Sequence, residues 1–213
     1  MAKKNKEISS SNLIKVKPIT EGQKSVFETW KQGKNQFLFG CAGTGKTFVS
    51  LYLAMQDVLD LKTKYDKVIL VRSLIPTREI GFLPGDEEDK AALYQVPYQN
   101  MVKFMFEQPN EQAFNMLYDR LKNQGSLYFL STSFLRGLTF DNSIIIVDEC
   151  QNLNFHELDT ITTRVGQDSK IVFCGDFSQT DLLKQNERNG LHDFLRILME
   201  MQEFNCVEFN IGD

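Results

Sequence analysis

The sequence predicts an α/β domain whose mainly parallel sheet is covered by helices on both faces. Three runs rich in β-branched and other apolar residues have the length and composition of buried strands: Lys67–Arg72, Ser143–Asp148 and Lys170–Gly175. Segments with apolar residues at helical spacing lie between the strands, and such alternation favours a parallel sheet. With 213 residues and 42% hydrophobic content, the chain is long enough for one large domain.

The other elements follow from the same periodicities. Further strands are expected at Gln36–Phe39, Ser126–Ser131 and Cys206–Phe209. The expected helices cover residues 21–31, 48–59, 91–106, 111–123, 154–164 and 189–203; Thr20 caps the first and Pro97 interrupts the third. Two prolines and two glycines predict a long loop between Ser73 and Asp86.

Charge and cysteine usage narrow the function classes. The 24 basic and 28 acidic residues give a net charge of −4, so contact with nucleic acid would need a local basic patch. The four cysteines are far apart and form no C-x-x-C pair, which indicates neither a disulfide framework nor a zinc site. The two histidines make a histidine-based metal site an unfavoured prediction too.

The domain boundaries are read from composition. Residues 1–12 are rich in Lys and Ser and are expected to form a mobile tail, with a single domain over residues 13–213. Within that domain, residues 72–125 are expected to form a loop and helical insertion. A secretory signal needs an apolar segment near the start, and a membrane span needs ~18 apolar residues; neither pattern is found, so we expect a soluble, cytoplasmic protein.

The segment Gly40–Thr47 matches the P-loop pattern G-x-x-x-x-G-K-[ST], and it lies between an expected strand and an expected helix. Its glycines allow backbone N–H groups to approach phosphate, and the helix N-terminus favours negative charge at the same place. Lys46 is expected to reach the β- and γ-phosphates of ATP, and Thr47 to bind Mg²⁺. The expected nucleotide-binding residues are Gly40, Cys41, Ala42, Gly43, Thr44, Gly45, Lys46, Thr47 and Phe48.

Two later strands end in polar residues at the same predicted sheet edge. Asp148 and Glu149 follow the first; Asp148 is expected to hold Mg²⁺ and Glu149 to polarise the attacking water, although adjacent carboxylates can also simply end a strand. After the second strand, Asp176 or Gln179 is expected to sense the γ-phosphate. The alternative there is a polar turn with a helix cap at Thr180.

Several segments together resemble the PhoH-like proteins, whose ATPase core is similar to superfamily 1 helicases. They comprise the P-loop and the segments 78–86, 134–139, 147–152, 163–166 and 175–182. The resemblance implies a RecA-like three-layer α/β/α fold, ATP binding and hydrolysis, and for some members RNA processing or unwinding. It also places Gln23 where a helicase Q motif reads adenine, and Cys150 where the family usually has alanine.

The resemblance leads us to expect an arginine finger, which the family carries in a segment beyond the last residues given, Asn210–Asp213. Such a residue can contribute 10³–10⁵ in rate. The candidates are Arg72, Arg78, Arg136 and Arg164, of the same chain or of a neighbouring copy in a homo-oligomeric ring. Each could instead be a solvated arginine or an ion-pair partner; we favour this for Arg72, and for Arg136 and Arg164 the two readings are close to even.

Three functions remain open from the sequence. The first is an ATPase acting on RNA or single-stranded DNA, in which Phe82, Tyr94 and Tyr98 could stack on bases; for each of them, packing in the core or loop is the favoured alternative. The second is an ATP-driven switch or ring that acts on a protein, which the acidic composition fits slightly better. A small-molecule kinase is the least favoured, because the Asp148–Glu149 pair followed by Gln151 is more typical of a hydrolase.

Overall fold

The computed structural model describes residues 7–73, 87–135, 137–179, 182 and 185–213. Within these residues, six strands form one parallel sheet in the order β3-β2-β4-β5-β1-β6. The strands are β1 (Asn35–Gly40), β2 (Lys67–Arg72), β3 (Leu127–Ser131), β4 (Ser143–Val147), β5 (Lys170–Gly175) and β6 (Phe204–Phe209).

Six α-helices lie in the described part of the chain, the first before β1 and the others between strands. They are α1 (Glu21–Trp30), α2 (Lys46–Leu59), α3 (Glu87–Phe106), α4 (Glu111–Asn123), α5 (Phe155–Thr162) and α6 (Gln185–Glu200). The expected interruption of α3 at Pro97 is wrong, because the helix continues through that residue. Proline costs the helix one hydrogen bond because it has no N–H. The helix continues because Tyr98, Val102 and Met105 are buried in the core and hold it against the sheet.

The sheet has an apolar core on each face, which confirms the three-layer α/β/α architecture. Ile144 and Ile146 of β4 point to the core formed with α1, α2, α3 and α4. Ile145 and Val147 of the same strand point to the second core, formed with α5 and α6. Strands buried on both faces in this way read as continuous apolar runs in the sequence.

Residues 7–12, which the sequence assigned to a mobile tail, instead have defined structure. Ser10–Asn12 form a 3₁₀ turn, and Ile8 is buried in the core beside α2. The backbone N–H of Ile14 then donates to the carbonyl of Met105 at 2.8 Å. One apolar side chain in the Lys/Ser-rich segment is enough to anchor it, while residues 1–6 lie outside the described part.

The topology brings the ends of three strands together. From β1 the chain crosses over β5 and β4 to reach β2, whereas β6 pairs with the opposite side of β1. Ligands of open parallel sheets bind outside the carboxyl ends of the strands at such a reversal of direction. The described helices contain none long and apolar enough to cross a bilayer.

Candidate nucleotide-binding site

The chain leaves β1 through a glycine that the fold requires. Gly40 has φ 117°, and a Cβ there would lie 2.0 Å from the carbonyl oxygen of Phe209 in β6. The N–H of the next residue, Cys41, donates to that same oxygen at 2.9 Å. The close approach of β6 therefore fixes where the P-loop begins, and only glycine fits at this point.

The loop then turns into α2 through two left-handed glycines. Gly43 has φ 76° and Gly45 has φ 87°, and Gly45 is the N-cap of α2. The free N–H groups of the first helical turn consequently face the loop. The Lys46 side chain is only 8% exposed, and its Nζ donates to the carbonyls of Gly40 at 2.9 Å and Cys41 at 2.5 Å. The ammonium group is thus held along the inside of the loop.

Two oxygen donors suited to Mg²⁺ meet beside the loop. Thr47 Oγ1 donates to Asp148 Oδ1 at 2.6 Å, which joins the start of α2 to the end of β4. The other carboxylate oxygen of Asp148 accepts from the Tyr98 hydroxyl at 2.7 Å. Mg²⁺ prefers oxygen ligands and is usually bound by one or two protein groups together with phosphate and water. The donor set at Thr47 and Asp148 fits this ion.

Glu149 is held in an uncommon backbone conformation. Its φ of 52° and ψ of 39° lie in the left-handed region, which costs energy for a residue other than glycine. Gln151 Nε2 donates to Glu149 Oε2 at 2.5 Å, and Gln151 Oε1 accepts from the N–H of Asp176 at 3.1 Å. The side chain of Gln151 therefore connects the second carboxylate to the end of β5.

Asp176 ties the end of β5 to the P-loop. Its Oδ2 accepts from the N–H of Ala42 at 2.9 Å, and its Oδ1 accepts from the N–H of Ser178 at 3.0 Å and from its hydroxyl at 2.6 Å. Burial acts to raise the pKa of Asp176, but these hydrogen bonds outweigh it and the pKa is lowered. The charged carboxylate of Asp176 therefore holds the P-loop in place through its hydrogen bond with Ala42.

These groups surround one cavity of about 310 Å³. The size falls at the lower end of the range for small-molecule sites. Its lining comes from the P-loop, α3 and the ends of β4 and β5: Ala42, Gly43, Gly45, Lys46, Thr47, Phe48, Met101, Asp148, Glu149, Gly175, Asp176 and Gln179. Gln179, expected from the sequence to sense phosphate, lies in this lining, whereas Met101 of α3 was not expected there.

The sequence of this chain is similar to those of known proteins of one family. Residues 15–213 match the family model described as PhoH-like protein. The chain belongs to the PhoH-like family. It is 36% identical to Protein PhoH2 of Bacillus subtilis over 68% of this chain and 32% of that protein. It is 31% identical to a PhoH-like protein of the same organism, over 94% of this chain and 59% of that protein.

A further relative is a PhoH-like protein of Synechocystis, 33% identical over 83% of this chain and 51% of that protein. The chain thus spans about a third to three-fifths of the length of these curated relatives. Among solved structures, the Pyrococcus furiosus Hef helicase domain aligns with a TM-score of 0.50 and 11% identity, over 90% of this chain and 37% of that one. At this identity the likeness shows the fold alone, and it agrees with the RecA-like architecture of the PhoH-like chain.

The residues assigned through the PhoH-like resemblance have different outcomes. Gln23 lies beside the P-loop, with Nε2 donating to the carbonyl of Thr44 at 3.5 Å and Oε1 accepting from the N–H of Ile19 at 3.0 Å. Its role in reading adenine stays a prediction. Cys150 is buried against Gly175, where an added Cβ on the glycine would lie 2.8 Å from the Cys150 Sγ.

The arginine candidates also have different outcomes. The prediction for Arg164 as a site residue of its own chain is wrong, because Arg164 precedes β5 at the opposite sheet edge and its Nη1 donates to the carbonyl of Leu138 at 3.3 Å. Its backbone carbonyl accepts from the N–H of Phe140, just before β4. Arg78 and Arg136 lie outside the described residues.

Arg72 lies near enough to Asp148 and Glu149 for their charges to act on its guanidinium. It ends β2 at the carboxyl edge, and its guanidinium lies 5.5 Å from the ring centre of Tyr94. Burial acts to lower the pKa of Arg72, but Tyr98, Asp148 and Glu149 together raise it. The sequence could have indicated this location, because Arg72 stands at the end of a buried strand just as Asp148 does.

The favoured prediction for the two tyrosines of α3, packing in the core rather than stacking on bases, is confirmed. Tyr94 is 6% exposed and Tyr98 is 2% exposed, so neither ring offers a face to a base. Phe82 lies outside the described residues. Sequence reasoning also missed the contact of Tyr98 with Asp148, because no motif spacing relates two residues fifty positions apart.

Proposed function

We propose that this chain is a Mg²⁺-dependent ATPase whose turnover is linked to RNA or single-stranded DNA. The observation that carries the ATPase part is the grouping of Lys46, Thr47, Asp148 and Glu149 around a single cavity. Each of these residues comes from a sequence pattern with its own chemistry, and the fold supports their joint use by placing all four at the carboxyl edge of the sheet.

The P-loop supplies the phosphate-binding groups. Gly43 and Gly45 leave the loop open to phosphate oxygens, and the N-terminus of α2 carries partial positive charge toward them. Lys46 exchanges its neutral carbonyl partners for the charged oxygens of the β- and γ-phosphates, which are stronger acceptors.

Thr47 and Asp148 hold the Mg²⁺ ion on the neighbouring side. When bound, the ion neutralises charge that develops on the phosphate oxygens during transfer. Asp148 contributes a carboxylate that is 7% exposed, so its charge is only weakly screened by solvent.

Glu149 orients and polarises the attacking water. Its carboxylate lines the cavity beside Asp148, and Gln151 fixes it by a hydrogen bond. The left-handed backbone of Glu149 carries a cost in strain, and such strain clusters at functional positions. Gln179 lies in the same lining, which supports the proposal that it contacts the γ-phosphate.

The nucleic-acid part of the proposal rests on the family resemblance, and the shared fold with a protein named as a helicase makes polynucleotides the first partners to test. We also propose a cytoplasmic location, which the four cysteines support because all are free, as is usual in a reducing compartment.

The test is phosphate release from ATP by the full chain, measured with and without single-stranded RNA or DNA, on material of known mass in solution. We expect release that polynucleotide stimulates, with a stimulation that weakens as salt is added. Release that every polynucleotide leaves unchanged would instead favour a switch or ring acting on a protein. Transfer of labelled phosphate to an acceptor rather than to water would contradict hydrolysis itself.

A further inference from the structure

We propose that Tyr98 is a positioning residue for the metal site, through which the α3 insertion completes that site. The inference rests on the ATPase proposed above and adds a residue that no motif assigns. Its basis is the hydrogen bond of 2.7 Å from the Tyr98 hydroxyl to Asp148 Oδ2, together with the burial of both side chains.

The two oxygens of Asp148 have separate partners. Oδ1 accepts from Thr47 Oγ1 and faces the P-loop, whereas Oδ2 accepts from the Tyr98 hydroxyl. A carboxylate with only one fixed oxygen can rotate about its last bond. With Tyr98 in place the carboxylate plane is set and Oδ1 stays beside Thr47 Oγ1, so that these two oxygens would hold Mg²⁺.

The position of the Tyr98 hydroxyl is itself fixed by packing. The ring is 2% exposed, and its centre lies 5.7 Å from that of Phe129 in β3. The same helix places Met101 in the cavity lining. Helix α3 therefore forms part of the nucleotide site through Tyr98 and Met101, and a displacement of α3 would change the orientation of Asp148.

The chain offers a matched control one helical turn away. Tyr94 is also buried, at 6% exposed, yet within the described residues its hydroxyl has no hydrogen-bond partner. Tyr98→Phe and Tyr94→Phe each remove one oxygen from a buried ring of α3. The two variants differ in whether that oxygen contacts Asp148, and Tyr98 also has a side-chain hydrogen bond with Arg72.

The test measures metal binding rather than turnover. Free Mn²⁺ is followed by electron paramagnetic resonance as it is added to each protein with ADP. We expect Tyr98→Phe to weaken Mn²⁺ binding by about 10–100-fold, the range for removal of a group that orients a metal ligand. Tyr94→Phe should stay within about twofold of the parent, and ADP binding in EDTA should be equal in all three proteins.

Unchanged Mn²⁺ affinity in Tyr98→Phe would overturn the inference, provided that the parent binds Mn²⁺ with ADP. A parent that shows no such binding would instead overturn the proposed ATPase. Fluorotyrosine at position 98 keeps the hydroxyl and so guards against a folding defect. Its ¹⁹F signal should shift when Mg²⁺ is added to the ADP complex, more than the signal at position 94; no shift at position 98 would also overturn the inference.

Discussion

The two edges of the sheet both bury charged side chains, but they do so differently. At the carboxyl edge, Lys46, Asp148 and Asp176 bond to groups from several elements around a cavity. At the amino edge, Lys170 begins β5 and is enclosed by aromatic rings, with its Nζ 4.1 Å from the ring centre of Trp30 and 5.8 Å from that of Tyr65.

The consequences for ionisation also differ. Burial lowers the pKa of Lys170 to about 8, with the charge of Asp57 acting in the opposite direction. Burial also disfavours the charged form of Asp57 and raises its pKa, although Trp30 Nε1 donates to its Oδ2 at 2.9 Å. The amino edge thus disfavours charge, whereas at the carboxyl edge hydrogen bonds lower the pKa of Asp176 and favour its charged form. We therefore expect substitutions at the carboxyl edge to change activity and those at the amino edge to change stability.

The largest effect is expected for Glu149→Gln. Loss of a general base typically costs about 10²–10⁴-fold in rate, because the water is no longer polarised. Phosphate release should fall by this factor while ATP binding, measured by calorimetry, stays close to that of the parent. Glu28→Gln, which changes an exposed carboxylate of α1, is the matched control. Equal rates for the parent and Glu149→Gln would show that Glu149 has another role.

Lys46→Ala should reduce ATP affinity by about 10²-fold, because charge-assisted hydrogen bonds contribute roughly 1.5–3 kcal/mol each. Calorimetric titration with ATP gives the dissociation constant, and thermal unfolding shows whether the fold is kept. Lys170→Met is the control variant, because Lys170 is also a buried lysine but lies at the amino edge. Similar losses of affinity in both variants would remove the distinction between the edges.

Lys170→Met should change stability instead. A lysine with a folded pKa near 8 and an unfolded pKa near 10.5 binds fewer protons when folded between these values, so the parent becomes more stable as the pH rises through this window. Relative to the variant, the gain should reach up to about 3 kcal/mol. Urea unfolding at pH 7 and at pH 10 measures it. Parallel pH profiles for the two proteins would contradict this role of Lys170.

The smallest effect is expected for Lys64→Ala. Lys64 pairs with Asp168 at 3.2 Å on the surface, where such pairs contribute less than about 1 kcal/mol. Its positive charge is also one cause of the lowered pKa of Lys170. The variant should therefore move the pH-dependent gain to slightly higher pH and leave phosphate release unchanged. A shift to lower pH would contradict the assigned electrostatics.

The sequence predicted what short-range patterns encode. The P-loop, the acidic pair after β4 and the parallel sheet all follow from local spacing and runs of apolar residues, and the structure places Lys46 and Asp148 at one cavity. Tyr98 and Met101 could not be assigned in this way, because tertiary packing alone decides which face of α3 meets the sheet. Arg164 shows the converse, since a family-like segment placed it in the site although the chain carries it to the other edge.

The most direct test of the nucleotide site is phosphate release from ATP by the parent chain as Mg²⁺ is raised from zero. We expect no release in EDTA and a saturating rise with Mg²⁺, because in our proposal Thr47 and Asp148, whose side chains meet, hold the ion that transfer requires. No release at any Mg²⁺ concentration, or equal release in EDTA, would contradict the assignment of this edge of the sheet as the ATPase site.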